Sequence, residues 1–266
     1  MKKTKIDWCD STWNPVTGCL HGCEYCYARG IANRFKGGSS RADGTQHIPG
    51  IHSDFCVLGD KMLIAELEEP VYEKVNGKLK LAPYPYWFYP TLHKYRLDEY
   101  LNKKGRNIFV CSMADLFGSW VPDAWINEVM RACKEAPQHN YLFLTKNAKR
   151  YCEYGVPMDK NMWYGTSITT EKEMHLFNSL PAGCNTFVSI EPILEDLQVP
   201  KHNLLFQQVD WVIIGAETGK RKGKIVPERK WIESIVNECR KNGTPVFMKS
   251  SLAETWGEAL IQEFPF

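Results

Sequence analysis

Trp211-Val212-Ile213-Ile214-Gly215-Ala216-Glu217 is an apolar, β-branched run that closes on a glycine and then a carboxylate. It does not alternate apolar with polar residues, so it reads as a strand covered on both faces, and such strands belong to parallel sheets. Similar runs lie at Tyr86 to Tyr89, Ile108 to Ser112, Tyr141 to Thr145, Trp163 to Ile168, Thr186 to Ile190 and Pro245 to Met248. Their spacing, roughly 20 to 35 residues, suits crossover helices and not hairpins. A first strand near Thr12 to Thr17 brings the candidates to eight. That is the count of an α/β fold of the (β/α)8 TIM-barrel type, closed or partly open, with a six-strand open barrel plus a tail as the alternative.

Helical patterns fall between the runs. Pro122 stands where a first turn begins, followed by Trp125, Ile126, Val129, Met130 and Cys133 at three- and four-residue steps. Thr170 and Glu173 form a capping box ahead of Met174 and Phe177, and Pro181 ends that segment. Pro227 opens a third helix with the stripe Trp231, Ile232, Ile235, Val236 and Cys239, closed by Gly243. These stripes read as core. Residues 1–266 form one barrel domain on this reading, with 37–85 as an insertion that carries a β-hairpin about Asn76-Gly77.

The chain has 266 residues, 44% of them hydrophobic, which supports a large core and excludes a disordered or fibrous protein. Thirty-three Lys and Arg against 31 Asp and Glu leave +2, so no global field draws the molecule onto a nucleic-acid polymer. The basic start, Met1 to Ile6, runs into Asp7, Cys9 and Asp10 instead of the apolar stretch of a secretory signal. No 18-residue apolar run suggests a membrane span. The ten cysteines are too thinly spread for a secreted disulfide scaffold. A cytoplasmic protein with reduced thiols is expected.

In a β/α barrel the polar residues closing each strand share one face, where active sites lie. Here these are Asn14, Thr17, Ser112, Asp115, Thr145, Lys146, Ser167, Glu191, Glu217, Lys249 and Ser250. The Gly-flanked basic segment Lys220-Arg221-Lys222 follows the seventh run, where barrels often bind phosphate, so it is a candidate clamp for a 5′-phosphate. A lone basic loop on a nearly neutral protein favours a nucleotide over a polymer. Trp13, Trp87, Tyr89 and Trp120 are candidates for stacking on a base, against the plainer reading of core aromatics.

Cys19, Cys23 and Cys26 stand in Gly-Cys-Leu-His-Gly-Cys-Glu-Tyr-Cys, at spacings of three residues and then two. One tight turn, allowed by Gly18 and Gly22, aims three soft thiolates at one centre. Spacing alone leaves three readings open: an iron–sulfur cluster with one iron lacking a protein ligand, a zinc site completed by His21, and unrelated core thiols. The other seven cysteines form no second close-spaced set.

Cys-x3-Cys-x2-Cys with Tyr25 before the third cysteine, at the end of a first strand and ahead of a β/α series, resembles the radical S-adenosylmethionine (radical SAM) superfamily. The segments Thr12 to Cys19, Ser112 to Phe117, Leu144 to Lys146, Trp163 to Ser167, Ser189 to Pro192 and Trp211 to Glu217 resemble the landmarks of its phage-type family, which is itself similar to spore photoproduct lyase. Where most radical SAM families have Gly-Gly-Glu, this chain has Gly215-Ala216-Glu217. The resemblance implies a [4Fe-4S] cluster on Cys19, Cys23 and Cys26 whose open iron binds S-adenosyl-L-methionine. It implies a 5′-deoxyadenosyl radical that takes hydrogen from the substrate, and an external reductant such as flavodoxin or ferredoxin.

Under that resemblance Tyr25 contacts the adenine, Lys146 and Ser112 hold the cofactor's carboxylate, and Ser167 serves its ribose or methionine. Asp115, Glu191 and Glu217 are left for a substrate with hydroxyls, an amine or purine-like N–H groups. The expected activity is that of a queuine lyase, releasing queuine from queuosine or its 5′-phosphate. The alternatives are radical SAM modification or repair of DNA or tRNA, and a non-catalytic, zinc-stabilised nucleic-acid-binding module.

Overall fold

A computed structural model describes residues 4–35, 55–58, 62–219 and 221–266. Its strands are β1 (Ser11–Trp13), β2 (Val16–Thr17), β3 (Phe55–Leu58), β4 (Met62–Leu67), β5 (Tyr72–Val75), β6 (Lys78–Leu81), β7 (Thr91–His93), β8 (Asn107–Val110), β9 (Asn140–Thr145), β10 (Met162–Ser167), β11 (Asn185–Ile190), β12 (Trp211–Ile214) and β13 (Val246–Met248). The α-helices are α1 (Tyr27–Arg34), α2 (Asp123–Glu135), α3 (Lys149–Tyr154), α4 (Arg229–Asn242) and α5 (Ala253–Trp256).

Seven strands share one sheet in the order β1-β8-β9-β10-β11-β12-β13, with parallel pairing from β9 to β13. This is a mixed α/β fold; among the described residues its principal sheet has seven strands and two edges, consistent with a partly open TIM-type barrel and not with a closed eight-stranded one. The run that does not join is Tyr86 to Tyr89. Pro85 and Pro90 bracket it, and neither can donate to a strand ladder. The chain turns there instead, with Trp87 N–H bonded to Tyr84 O at 3.0 Å and Tyr89 N–H to Tyr86 O at 3.1 Å. The next three residues after Pro90 form β7, in a second, four-stranded sheet of order β2-β7-β4-β3.

The chain divides into two compact units. The first comprises Met1–Ser11, Gly105–Phe109 and Gln138–Phe266. Alternate residues of β12 serve two cores: Trp211 and Ile213 pack with Trp8, Phe109, Leu142, Trp163, Phe187 and Phe247, while Val212 and Ile214 pack with Ile232, Ile235, Val236 and Cys239 of α4. Burial on both faces explains why the run never alternates; each fully buried aliphatic side chain contributes about 1.5–3 kcal/mol. Gly165 on β10 faces Phe187 on β11, and a Cβ there would stand 2.4 Å from the ring, so glycine makes room for the aromatic. Helix α4 ends at Gly243 in the left-handed region (φ 69°). The Thr170–Glu173 capping box forms, over a 3-10 segment, Glu171–Ser179, rather than an α-helix.

The second unit comprises Thr12–Lys104 and Val110–Pro137. Pro122 caps α2, whose Trp125, Ile126, Val129, Met130 and Cys133 are buried as their spacing requires. Asn76 (φ 50°) and Gly77 (φ 75°) make the two-residue turn between the antiparallel β5 and β6. Most of the segment from 37 to 61 lies outside the described residues. Among the described residues, no helix is long and apolar enough to cross a membrane. Cys9, Cys19, Cys23, Cys26, Cys111, Cys133, Cys152, Cys184 and Cys239 are all free thiols.

Candidate functional site

The cysteine loop leaves β2 at Gly18, whose φ is +87° and whose missing Cβ would stand 2.2 Å from the carbonyl oxygen of Tyr89. Only glycine fits there. Gly18 N–H donates to Met113 O at 2.9 Å, Gly18 bridges Ala114 in parallel fashion, and Cys19 N–H donates to Phe88 O at 3.2 Å. Gly22 (φ +75°) turns the chain between the first two cysteines. Cys26 N–H donates to Cys23 O at 3.3 Å, and Cys26 caps α1, its Sγ accepting from Arg29 N–H at 3.3 Å. Cys19, Cys23 and Cys26 are half-buried. Burial pushes the Cys19 thiol up to about 12, a backbone hydrogen bond at His21 works the other way, and Asp115, Cys26 and Cys23 add to the rise. Binding a cation there must displace a proton.

Among the described residues no three His, Cys, Asp or Glu side chains are gathered to hold a metal ion. His21, the one candidate for a fourth zinc ligand, has Nε2 2.6 Å from Asp115 Oδ2 and its ring edge-on to Trp120, centroids 4.8 Å apart. The donor set of three free thiols on one anchored loop suits a multi-iron cluster, where each sulfur takes a different iron.

Ser112 Oγ donates to Asn14 Oδ1 at 3.1 Å, which also accepts from Met113 N–H at 2.9 Å. Tyr25 is half-buried in the cysteine loop, and the next aromatic, Tyr27, donates its hydroxyl to Ser112 O at 2.7 Å. Asp115 is buried; its Oδ1 accepts from Phe117 N–H at 3.0 Å. Trp13 is core, its indole N–H bonded to Arg96 O at 2.8 Å, and Trp120 is buried too.

In the first unit, Lys146 Nζ stands 3.7 Å from Glu173 Oε1. Burial works against the charge of Glu173, yet Lys146 and the donors of Thr169 and Thr170 hold its carboxyl below the usual range. Ser167 ends β10 half-buried. Glu191 pairs with Lys249 at the ends of β11 and β13, across Gly215, where an added Cβ would meet Lys249 Cδ at 3.0 Å and Glu191 Cγ at 3.2 Å.

Glu217 is buried and accepts both arms of Arg221, Nε at 2.6 Å and a terminal nitrogen at 2.7 Å. This guanidinium first, and Ile225 N–H besides, hold its carboxyl below the usual range despite burial. Arg221, expected in a phosphate clamp, thus faces inward to its own loop; Lys222 is exposed and Lys220 lies outside the described residues. The pairs Glu217–Arg221, Glu191–Lys249 and Lys146–Glu173 go beyond what the sequence pattern yields, although the i,i+4 spacing of Glu217 and Arg221 is a usable signal.

The predominantly parallel sheet, in a chain whose three-thiol loop follows β2, belongs to a fold shared with a solved structure. Spore photoproduct lyase complexed with dinucleoside spore photoproduct is similar at TM-score 0.53, with 9% identity over 93% of this chain and 78% of that one. A tyrosine-to-phenylalanine mutant of the lyase gives 0.49, with 10% identity over 93% and 79%. A double mutant with bound AdoMet and dinucleoside spore photoproduct gives 0.45, with 11% identity over 89% and 64%. At 9% identity this likeness is one of fold. The chain belongs to the family described as "Protein of unknown function (DUF5131)", whose model matches residues 3–263. No curated protein matches the sequence.

Proposed function

We propose that the protein is a radical SAM enzyme acting on a modified nucleotide, and that it releases queuine from queuosine 5′-phosphate. The observation that carries the first part is the anchored loop with three free, half-buried thiols, in a fold shared with spore photoproduct lyase. Cys19, Cys23 and Cys26 would hold a [4Fe-4S] cluster; with S-adenosylmethionine it supplies the one-electron chemistry that ends in removal of a substrate hydrogen atom. Tyr25 takes the adenine, Lys146 and Ser112 are the groups for the cofactor's carboxylate, and Ser167 serves the ribose or methionine.

Glu191 and Glu217 are the carboxylates for the substrate's amine, hydroxyls and N–H groups. Each already holds a cation, so a substrate amine must compete with Lys249 or Arg221, which selects for a strong, well-placed donor. Phosphate binding falls to Lys220 and Lys222, since Arg221 is held by Glu217. The rate arises from placing the target C–H against the radical carbon, because ground-state contacts alone do not accelerate chemistry. Removal of a sugar hydrogen atom would leave a sugar radical whose collapse breaks the glycosidic bond, and an electron from the external reductant with a proton would release queuine as the neutral base.

The test incubates the reduced, reconstituted protein and S-adenosylmethionine with queuosine, its 5′-phosphate, tRNA and DNA in separate reactions followed by mass spectrometry. The expected result is 5′-deoxyadenosine together with queuine, faster from the nucleotide than from the nucleoside. Turnover of the polymers alone would replace this reading with modification or repair of nucleic acid.

A further inference from the structure

We infer that the hydrogen bond between His21 and Asp115 is a latch that fixes the cysteine loop for cluster assembly, which makes both residues positioning residues. The inference rests on the proposal that this loop holds the cluster. The loop is joined to the segment after β8 at its start, at His21 and just past its end. Gly18 N–H reaches Met113 O at 2.9 Å at its start, and Tyr27 Oη reaches Ser112 O at 2.7 Å just past Cys26. Between these ends, over the reach that carries Cys19 and Cys23, a side-chain tie to the same segment runs from His21 Nε2 to Asp115 Oδ2 at 2.6 Å.

A carboxylate only accepts, so the imidazole N–H donates. The acceptor is itself held: Asp115 is 5% exposed, and its other oxygen takes Phe117 N–H at 3.0 Å. The donor is held too, because the His21 ring packs edge-on against Trp120, with an interplanar angle of 77°. Trp120 in turn lies where Gly118 leaves space, since a Cβ on Gly118 would come within 2.4 Å of the indole. A ring fixed by aromatic packing and an oxygen fixed by a backbone N–H make a tie with little freedom to lose, and loops without such ties open locally. Gly18 and Gly22 take positive φ, which glycine adopts at little cost, so the loop's shape is open to its backbone and its ties select one form of it.

On this account Asp115, expected to meet substrate, acts through the loop instead. His21→Leu removes the donor, while His21→Gln places an amide N–H near the position of Nε2. In the apo protein, alkylation of Cys19 and Cys23 by iodoacetamide, followed by mass spectrometry, should run roughly tenfold faster in His21→Leu and return most of the way to the parent rate in His21→Gln. Cluster uptake should fall in the same order, and the reduction potential of what cluster forms should shift in His21→Leu and not in His21→Gln. Equal alkylation rates in parent and His21→Leu, with an unchanged melting temperature, would overturn the latch even if the parent takes up iron. A parent protein that takes up no iron would end the cluster reading, and the alkylation rates would still decide the latch.

Discussion

The loop from Gly18 to Tyr27 and the strand ends at Glu191, Glu217 and Lys249 hold their polar groups in opposite ways. In the loop the backbone is tied down and the three thiols stand outside any disulfide or ion pair, with Cys26 Sγ accepting from Arg29 N–H. At the strand ends the side chains are tied to one another, carboxylate to cation, before any ligand arrives. On the proposed function the loop needs thiols outside disulfides on a held backbone, whereas a carboxylate buried without its cation would cost several kcal/mol. The first region is therefore sensitive to backbone changes and the second to charge changes.

Gly18→Ala is the most damaging way to test the first half of that contrast. The left-handed φ and the 2.2 Å approach to Tyr89 O leave no place for a methyl group, so a loss of roughly 3 kcal/mol or more is expected in urea unfolding. Survival of full stability would show that the loop's backbone is not fixed.

Glu217→Gln tests the second half. It replaces a bidentate charged contact with at most one neutral hydrogen bond to Arg221, for a loss of about 1–2 kcal/mol at neutral pH. A carboxyl held below its ordinary value stabilises the fold above the ordinary glutamate range, and that stability drains away as the pH falls. The difference between parent and Glu217→Gln should thus be flat near neutrality and shrink below about pH 4. A pH-independent difference would assign the loss to packing and not to charge.

Gly215→Ala gives the smallest effect. Its Cβ would press on the flexible stem of Lys249 and on Glu191 at 3.0 to 3.3 Å, and Gly215 is not among the residues with positive φ. A change under about 1 kcal/mol is expected, because a side-chain stem yields where a carbonyl does not. A loss as large as that of Gly18→Ala would erase the distinction between the two regions.

What is legible in the sequence follows the same division. The parallel strands are visible because burial on two faces removes alternation, as Trp211 to Ile214 shows. The α2 and α4 stripes, the Asn76-Gly77 turn and the Cys19–Cys26 loop are visible because each is a local pattern with a local cause. Tyr86 to Tyr89 misleads because its apolar content outweighs, on a simple reading, the two flanking prolines that forbid a ladder. The pairing of Glu191 with Lys249 joins residues 58 positions apart, and no local pattern encodes it. His21 with Asp115, 94 apart, is hidden for the same reason.

The central claim is that the anchored loop assembles a cluster, and iron analysis after anaerobic reconstitution with iron and sulfide tests it most directly. The account predicts a brown protein with roughly four irons per chain, and a colourless Cys23→Ala with almost none. One zinc and no iron in the parent, or equal iron in parent and Cys23→Ala, would contradict it.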